Sequence, residues 1–105
     1  MNTVVWCNYL NMEIKHIELS GRGAFIIRSD GKRVAEMTYV DSGDTGFTIN
    51  HTEVNESLRG QNIGEQLLAE AVKYARGKGL KIGATCSFAL EKLQENSEYA
   101  DVFGG

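Results

Sequence analysis

The chain has 105 residues and a formal net charge of −3, with 42% hydrophobic and 24% charged residues, which is the composition of one ordinary globular domain. Its acidic balance disfavours nucleic acid or an anionic membrane as partner, because both attract a dense basic surface. No apolar run approaches the roughly 20 residues of a membrane span. Cys7 and Cys86 are too few for a disulfide scaffold and make no metal-binding spacing with His16 or His51. We therefore expect no metal, and a reducing cytoplasm as the location.

The first eleven residues, MNTVVWCNYLN, carry no charged side chain. A secretory signal would need a basic start and a cleavage site of small residues, and this segment has neither. We expect residues 1–11 to be an N-terminal extension or an added edge strand, and residues 12–105 to form a single domain. The alternative is a natural start at Met12.

From Met12 onward, short alternating stretches come first and a helical period follows. Strands are predicted at 12–19, 24–29, 33–40, 46–54 and 81–88. Between the last two, apolar residues at helical spacing predict a helix over about 62–77, with Gly77 and Gly79 as possible C-terminal caps. A short second helix is predicted from Phe88, with Ser87 as a possible N-cap.

This order predicts an α/β (α+β) fold with a mixed sheet. An antiparallel meander of four strands is followed by a β-α-β crossover, so strands four and five should be parallel neighbours. Parallel strands that part at their carboxyl ends leave a crevice, where open α/β sheets usually bind ligands.

The stretch SLRGQNIGEQLL (57–68) places Arg59, Gly60 and Gly64 at the head of the predicted helix, beside that crevice. Helix N-terminal N–H groups and the helix dipole attract anions, and glycine permits close approach to the backbone. A phosphate or pyrophosphate fits this arrangement. The spacing matches neither a P-loop nor the dinucleotide fingerprint. The alternative is a glycine-rich turn that binds nothing.

Several segments in order resemble the Gcn5-related N-acetyltransferases, and within them the small single-domain, YjdJ-like subgroup. The segments are HTEV (51–54), RGQNIG (59–64), LLAEAVKYAR (67–76), KIGATCSFA (81–89) and SEYADVF (97–103). The resemblance implies acetyl-CoA (coenzyme A) as the cofactor. It implies a small-molecule or protein amine as the acceptor, and a monomer or weak homodimer.

The resemblance also implies how the cofactor is held. Its pyrophosphate would lie on the loop amides, and its pantetheine arm would pair with strand four at Thr52 and Val54. The loop residues are Leu58, Arg59, Gly60, Gln61, Asn62, Ile63 and Gly64. Asn62 stands where the family usually has its middle glycine. Asn is the next-best residue for left-handed backbone, so we expect the loop to be retained.

His51 and Glu53 are candidates for the general base. Period-two spacing predicts that they share a face of strand four with the apolar Phe47 and Ile49. Either this face becomes exposed at the strand end, or one of the two removes a proton from the incoming ammonium, directly or through water.

Cys86 is the third candidate for the chemistry. It is core packing, a nucleophile that accepts the acetyl group, or an acid that protonates the coenzyme A thiolate. No residue matches the tyrosine acid of larger relatives, and Tyr99 lies too far along the chain. Two functions stay open: an N-acetyltransferase acting on a primary amine, and a coenzyme A binding module with little or no transfer.

Overall fold

The computed structural model describes residues 14–29, 31–43, 45–56 and 62–104. Five strands form one sheet in chain order: β1 (Ile14–Leu19), β2 (Arg22–Ser29), β3 (Lys32–Asp41), β4 (Gly46–Val54) and β5 (Lys81–Ala84). The first four pair antiparallel, and β4 pairs with β5 in parallel. Helix α1 (Ile63–Lys78) joins β4 to β5. Helix α2 (Ser87–Glu95) and a 3-10 turn (Ser97–Tyr99) follow. The predicted mixed sheet with its β-α-β crossover is confirmed.

The core lies between one face of the sheet and the two helices. On β3 the alternation predicted from sequence holds, because Ala35, Met37 and Tyr39 are all buried against the helices. Helix α1 contributes its apolar stripe, made of Ile63, Leu67, Leu68, Ala71, Val72 and Ala75. Burying a side chain the size of leucine contributes about 1.5–3 kcal/mol, so this stripe fixes α1 on the sheet.

Both ends of α1 have left-handed backbone. Asn62, at φ 58° and ψ 33°, precedes the helix, and its carbonyl accepts the first helical bond from the Gln66 N–H at 3.0 Å. Gly79, at φ 70°, ends the helix, and the Leu80 N–H returns to the Ala75 carbonyl at 2.8 Å. These findings confirm Gly79 as the cap, whereas the prediction of Gly77 as a cap was wrong because Gly77 lies within the helix. They also show that Asn62 adopts the backbone that a glycine would supply.

The fifth strand is shorter than predicted. It ends at Ala84 because the Thr85 and Cys86 N–H groups both donate to the Ile49 carbonyl, at 2.9 and 3.3 Å, which turns the chain off the sheet. The Cys86 carbonyl then accepts from the Leu90 N–H at 2.9 Å. Cys86 is therefore the N-cap of α2, and the predictions of Ser87 as N-cap and of a strand running to 88 were wrong.

Neither helix in the described part of the chain is long and apolar enough to cross a bilayer. The prediction for residues 1–11 lies outside the described residues.

Candidate functional site

The two parallel strands part where β5 ends. Their register runs from Gly46 opposite Lys81 to Ile49 opposite Ala84, while β4 continues to Val54. Within the described ranges, no strand pairs with this edge of β4 beyond Ile49. The Asn55 N–H donates to Val34 of β3 at 2.8 Å, so strand alternation turns the backbone groups of Val54 and Thr52 toward the open edge. Such an edge can pair with an extended ligand.

A β-bulge lies in β4 just above the point of parting. Tyr39 of β3 pairs with Ile49, but its neighbour Thr38 pairs with His51, so Asn50 is the extra residue. The Asn50 side chain accepts a hydrogen bond from the Thr38 hydroxyl at 2.6 Å, which holds the bulge across the strand pair. The bulge shifts the alternation of every residue that follows it in β4.

Thr52 and Val54 consequently face the helices, since they pair with the buried Met37 and Ala35. The prediction that His51 and Glu53 share a face with Phe47 and Ile49 was wrong. Above the bulge these two side chains lie on the face of the sheet opposite the helices, where both are exposed and Glu53 pairs with Glu36 of β3.

A cavity of about 310 Å³ lies between the open edge of β4 and the first turn of α1. Its lining residues are Thr52, Val54, Asn62, Ile63, Gly64, Glu65 and Phe88. Five of the predicted cofactor-binding residues are thus brought together. The other four, Leu58, Arg59, Gly60 and Gln61, lie outside the described residues. The first N–H groups of α1 point toward this end of the helix, where the dipole favours an anion.

Gly64 is in close contact with Phe88 of α2. A Cβ added at Gly64 would stand 2.8 Å from the Phe88 Cζ, which is closer than real Cβ contacts allow. Glycine therefore serves helix packing here as well as access to the cavity. Sequence reasoning missed Phe88 as a lining residue, because no periodicity links two helices separated by a strand.

An ion pair at the rim of the cavity was also missed. The Lys92 Nζ lies 3.3 Å from Glu65 Oε2 and 5.9 Å from the centroid of the Phe88 ring. The hydrogen bond to Glu65 raises the pKa of the Lys92 ammonium. A cation of α2 therefore lies close to the N-terminus of α1, where it compensates the charge of the Glu65 carboxylate that lines the cavity.

Cys86 follows β5 and contacts β4 at the point where the two strands part. It is half-buried against the core, and its thiol donates to the Thr52 hydroxyl at 3.4 Å. The thiol thus contacts a residue that lines the cavity, on the face of β4 that the helices cover.

The two base candidates contact each other on the face of the sheet opposite the helices. The His51 Nε2 lies 3.3 Å from Glu53 Oε1, and their side chains are 53% and 70% exposed. Tyr99 lies beside the C-terminal half of α1, with Val72, Arg76 and Gly77, and so is remote from the helix N-terminus that borders the cavity.

Parting parallel strands beside a helix N-terminus are the features of a fold that binds an anionic ligand along a strand edge. Residues 24–102 match the family model described as GCN5-related N-acetyl-transferase. The chain belongs to the GCN5-related N-acetyltransferase family, as the resemblance implied. The YjdJ-like subgroup stays a prediction.

Solved structures agree with this family. The chain is similar to a GCN5-like protein from Staphylococcus aureus, with 38% identity, 90% of each chain covered and a TM-score of 0.71. A ribosomal-protein-alanine N-acetyltransferase from Brucella melitensis biovar Abortus 2308 is 17% identical, with 74% of this chain and 64% of that chain covered and a TM-score of 0.60. An aminoglycoside 6′-N-acetyltransferase complexed with coenzyme A is 23% identical, with 59% and 36% covered and a TM-score of 0.52. The last two show the fold alone. No curated protein matches the chain.

Proposed function

We propose that the protein transfers an acetyl group from acetyl-CoA to a primary amine of a small molecule or a protein. The observation that carries the proposal is the cavity between the open edge of β4 and the N-terminus of α1, with a thiol at the point where β4 and β5 part. Family membership and a relative crystallised with coenzyme A support the same chemistry.

The chain's own groups account for each part of the cofactor. As the resemblance implies, the pyrophosphate would be held by the loop 58–64, which contains Arg59 and precedes a helix end that favours anions. The backbone groups of Thr52 and Val54 offer a strand edge to the amides of the pantetheine arm. The thioester then lies at the parting of β4 and β5, beside Cys86.

Transfer requires a neutral amine, an anion-stabilising site and a proton for the thiolate. The amine nitrogen attacks the thioester carbonyl, and the amides of β4 stabilise the oxyanion of the tetrahedral intermediate. The carbon–sulfur bond then breaks, and coenzyme A leaves as a thiolate that takes up a proton. In this proposal Cys86 gives that proton or accepts the acetyl group first, and packing alone is the third possibility; the contact of its thiol with Thr52, which lines the cavity, supports a position near the thioester. His51 and Glu53 stay the candidates for the base, and they would act through water from the face of the sheet opposite the helices.

Coenzyme A binding without transfer is the second candidate function. The bulge at Asn50 favours binding without transfer, because His51 and Glu53 face away from the side of β4 on which Thr52 contacts the Cys86 thiol. A protein of this kind would keep the cofactor cavity and lack an effective base.

Calorimetry with coenzyme A, followed by thiol release with a panel of amines, tests the two functions. The transferase requires both binding and amine-dependent release, whereas the binding module requires binding alone. Absence of binding would refute both. Arg59→Ala should weaken binding more at low salt than at high salt, because salt screens a charge contact. The thiol-release assay also tests the base. If His51→Ala and Glu53→Gln both keep the full rate and leave the alkaline limb of the pH profile unmoved, neither residue is the base.

Intact mass after incubation with acetyl-CoA alone separates the roles of Cys86. A nucleophile gains one acetyl group that Cys86→Ala loses and Cys7→Ser keeps. An acid gains none, and Cys86→Ser retains part of the rate because a hydroxyl can still donate to sulfur. If Cys86 only packs, Cys86→Ala keeps the rate per folded molecule and loses about 1 kcal/mol of stability.

A further inference from the structure

Three side chains with metal-ligand atoms converge on the face of the sheet opposite both helices. They are Glu36 of β3 and His51 and Glu53 of β4, and among the described residues their ligand atoms all lie within 4.8 Å of one another. The β3–β4 register brings them together, because Glu36 pairs directly with Glu53 while His51 pairs with the adjacent Thr38. The bulge at Asn50 is what turns both β4 side chains toward Glu36.

The direct pairing of two carboxylates is unfavourable without a cation. Like charges opposite each other on antiparallel strands destabilise the pair. Arg33 offsets this in part, since its guanidinium contacts Glu36 Oε1 at 2.7 Å. That contact lies on the Glu36 side of the pair, whereas Glu53 is in contact with the His51 imidazole. A cation held between the two carboxylates would remove the repulsion directly.

The donor set indicates which cation. One imidazole nitrogen and two carboxylate oxygens suit a borderline-soft divalent metal, and three protein ligands plus water are usual for zinc. Calcium and magnesium prefer oxygen ligands throughout. Two ligand atoms bound tetrahedrally to one zinc ion stand about 3.4 Å apart. The present atoms therefore need to move by only about 1 Å, and the exposed His51 and Glu53 side chains have room to do so.

We propose that Glu36, His51 and Glu53 form a binding site for a divalent transition metal of the zinc class, which bridges β3 and β4. Sequence analysis expected no metal because the two cysteines make no metal-binding spacing with His16 or His51. That spacing could not reveal this cluster, because only the pairing of β3 with β4 makes Glu36 a neighbour of His51 and Glu53. The inference does not depend on the proposed acetyl transfer, but a metal ion bound here would occupy His51 and Glu53 and exclude them as the general base.

The test is metal titration of the full chain, made without a histidine tag and stripped with a chelator. Calorimetry with Zn²⁺ should give one ion per chain, and Co²⁺ should give visible bands of a four- or five-coordinate ion. Glu36→Gln, His51→Gln and Glu53→Gln should each weaken binding at least about tenfold, since even the loss of an outer-shell partner has that effect. Zn²⁺ should also raise the Tm of the wild type and not of the variants.

Two control variants make the outcome specific. Glu98→Gln removes an exposed carboxylate remote from the cluster and should bind like the wild type. Cys86→Ser should also bind like the wild type. The proposal is overturned if no metal binds at about 1 mM, or if Glu36→Gln keeps the wild-type affinity. It is also overturned by a thiolate–Co²⁺ charge-transfer band that Cys86→Ser abolishes, because the metal would then be bound by the thiol. Circular dichroism establishes that every variant is folded.

Discussion

Gly64→Ala tests why the first turn of α1 has no side chain at position 64: because Phe88 packs there, because a ligand binds there, or for both reasons. The added methyl group would enter the cavity and stand 2.8 Å from the Phe88 Cζ. Alanine is favoured over glycine in a helix by about 1 kcal/mol, whereas overpacking costs about 1–3 kcal/mol. The two effects leave a net loss of about 0–2 kcal/mol in the free energy of unfolding. For a domain of this size, a loss of about 2 kcal/mol lowers Tm by about 8–16 °C, and a smaller loss lowers it in proportion.

Phe88→Leu separates packing from binding. The smaller side chain relieves the contact, so Gly64→Ala should cost less stability in the Phe88→Leu background than alone, which a double-mutant cycle measures. Coenzyme A binding should respond differently. The methyl group still occupies the approach to the backbone amides, so affinity should fall at least about tenfold, or about 1.4 kcal/mol, in both backgrounds.

The matched control is Gly77→Ala in the same helix. Apart from the adjacent residues and the helix's own backbone, no atom of the described residues lies within 4 Å of a Cβ built at Gly77. This variant should therefore gain up to about 1 kcal/mol and bind coenzyme A like the wild type. Thermal unfolding and calorimetry on the wild type, the two single variants and the double variant decide between packing and binding. Full coenzyme A affinity in the folded double variant would show that Gly64 serves packing only.

Two further predictions concern stability. Burial lowers the pKa of His16 from 6.5, against an opposing effect of Glu18, so stability that depends on the neutral imidazole is present above pH 6.5 and lost as pH falls below it. His16→Gln should flatten this dependence in urea unfolding between pH 7.5 and about 5, and an unchanged slope would contradict the assignment. Gly46→Ala would press a Cβ against the Lys81 carbonyl where β4 meets β5, so it should cost about 1–3 kcal/mol, and an unmoved urea midpoint would contradict that packing.

The order of elements could be predicted because local patterns determine it. The bounds of β4 matched the structure, and a helix between two strands required them to be parallel neighbours. The end of β5 could not be predicted, because it depends on the Ile49 carbonyl of another strand, which takes two N–H groups at once. The contact of Gly64 with Phe88 was hidden for the same reason, since it depends on how α2 packs against α1.

The bulge at Asn50 is the feature that most changes the candidate site, and its cause lies in the residues that follow it. An unbroken alternation from Phe47 and Ile49 would turn His51 and Glu53 into the core. Burying a polar group without a partner costs about 2–7 kcal/mol, and a charged group costs more. A bulge leaves one residue outside the regular ladder, and here the Asn50 side chain recovers a hydrogen bond from Thr38.

The signal for this bulge is a change of phase in the apolar pattern of β4. Core-compatible side chains occupy odd positions up to Ile49 and even positions at Thr52 and Val54. A strand of period two can satisfy both halves only if one residue is inserted between them. The same inserted residue places Thr52 against the Cys86 thiol and gathers His51 and Glu53 beside Glu36. One strand therefore presents a thiol-contacting edge to the cavity and a ligand-rich face to the other side of the sheet, and the chemistry proposed for each depends on that single extra residue.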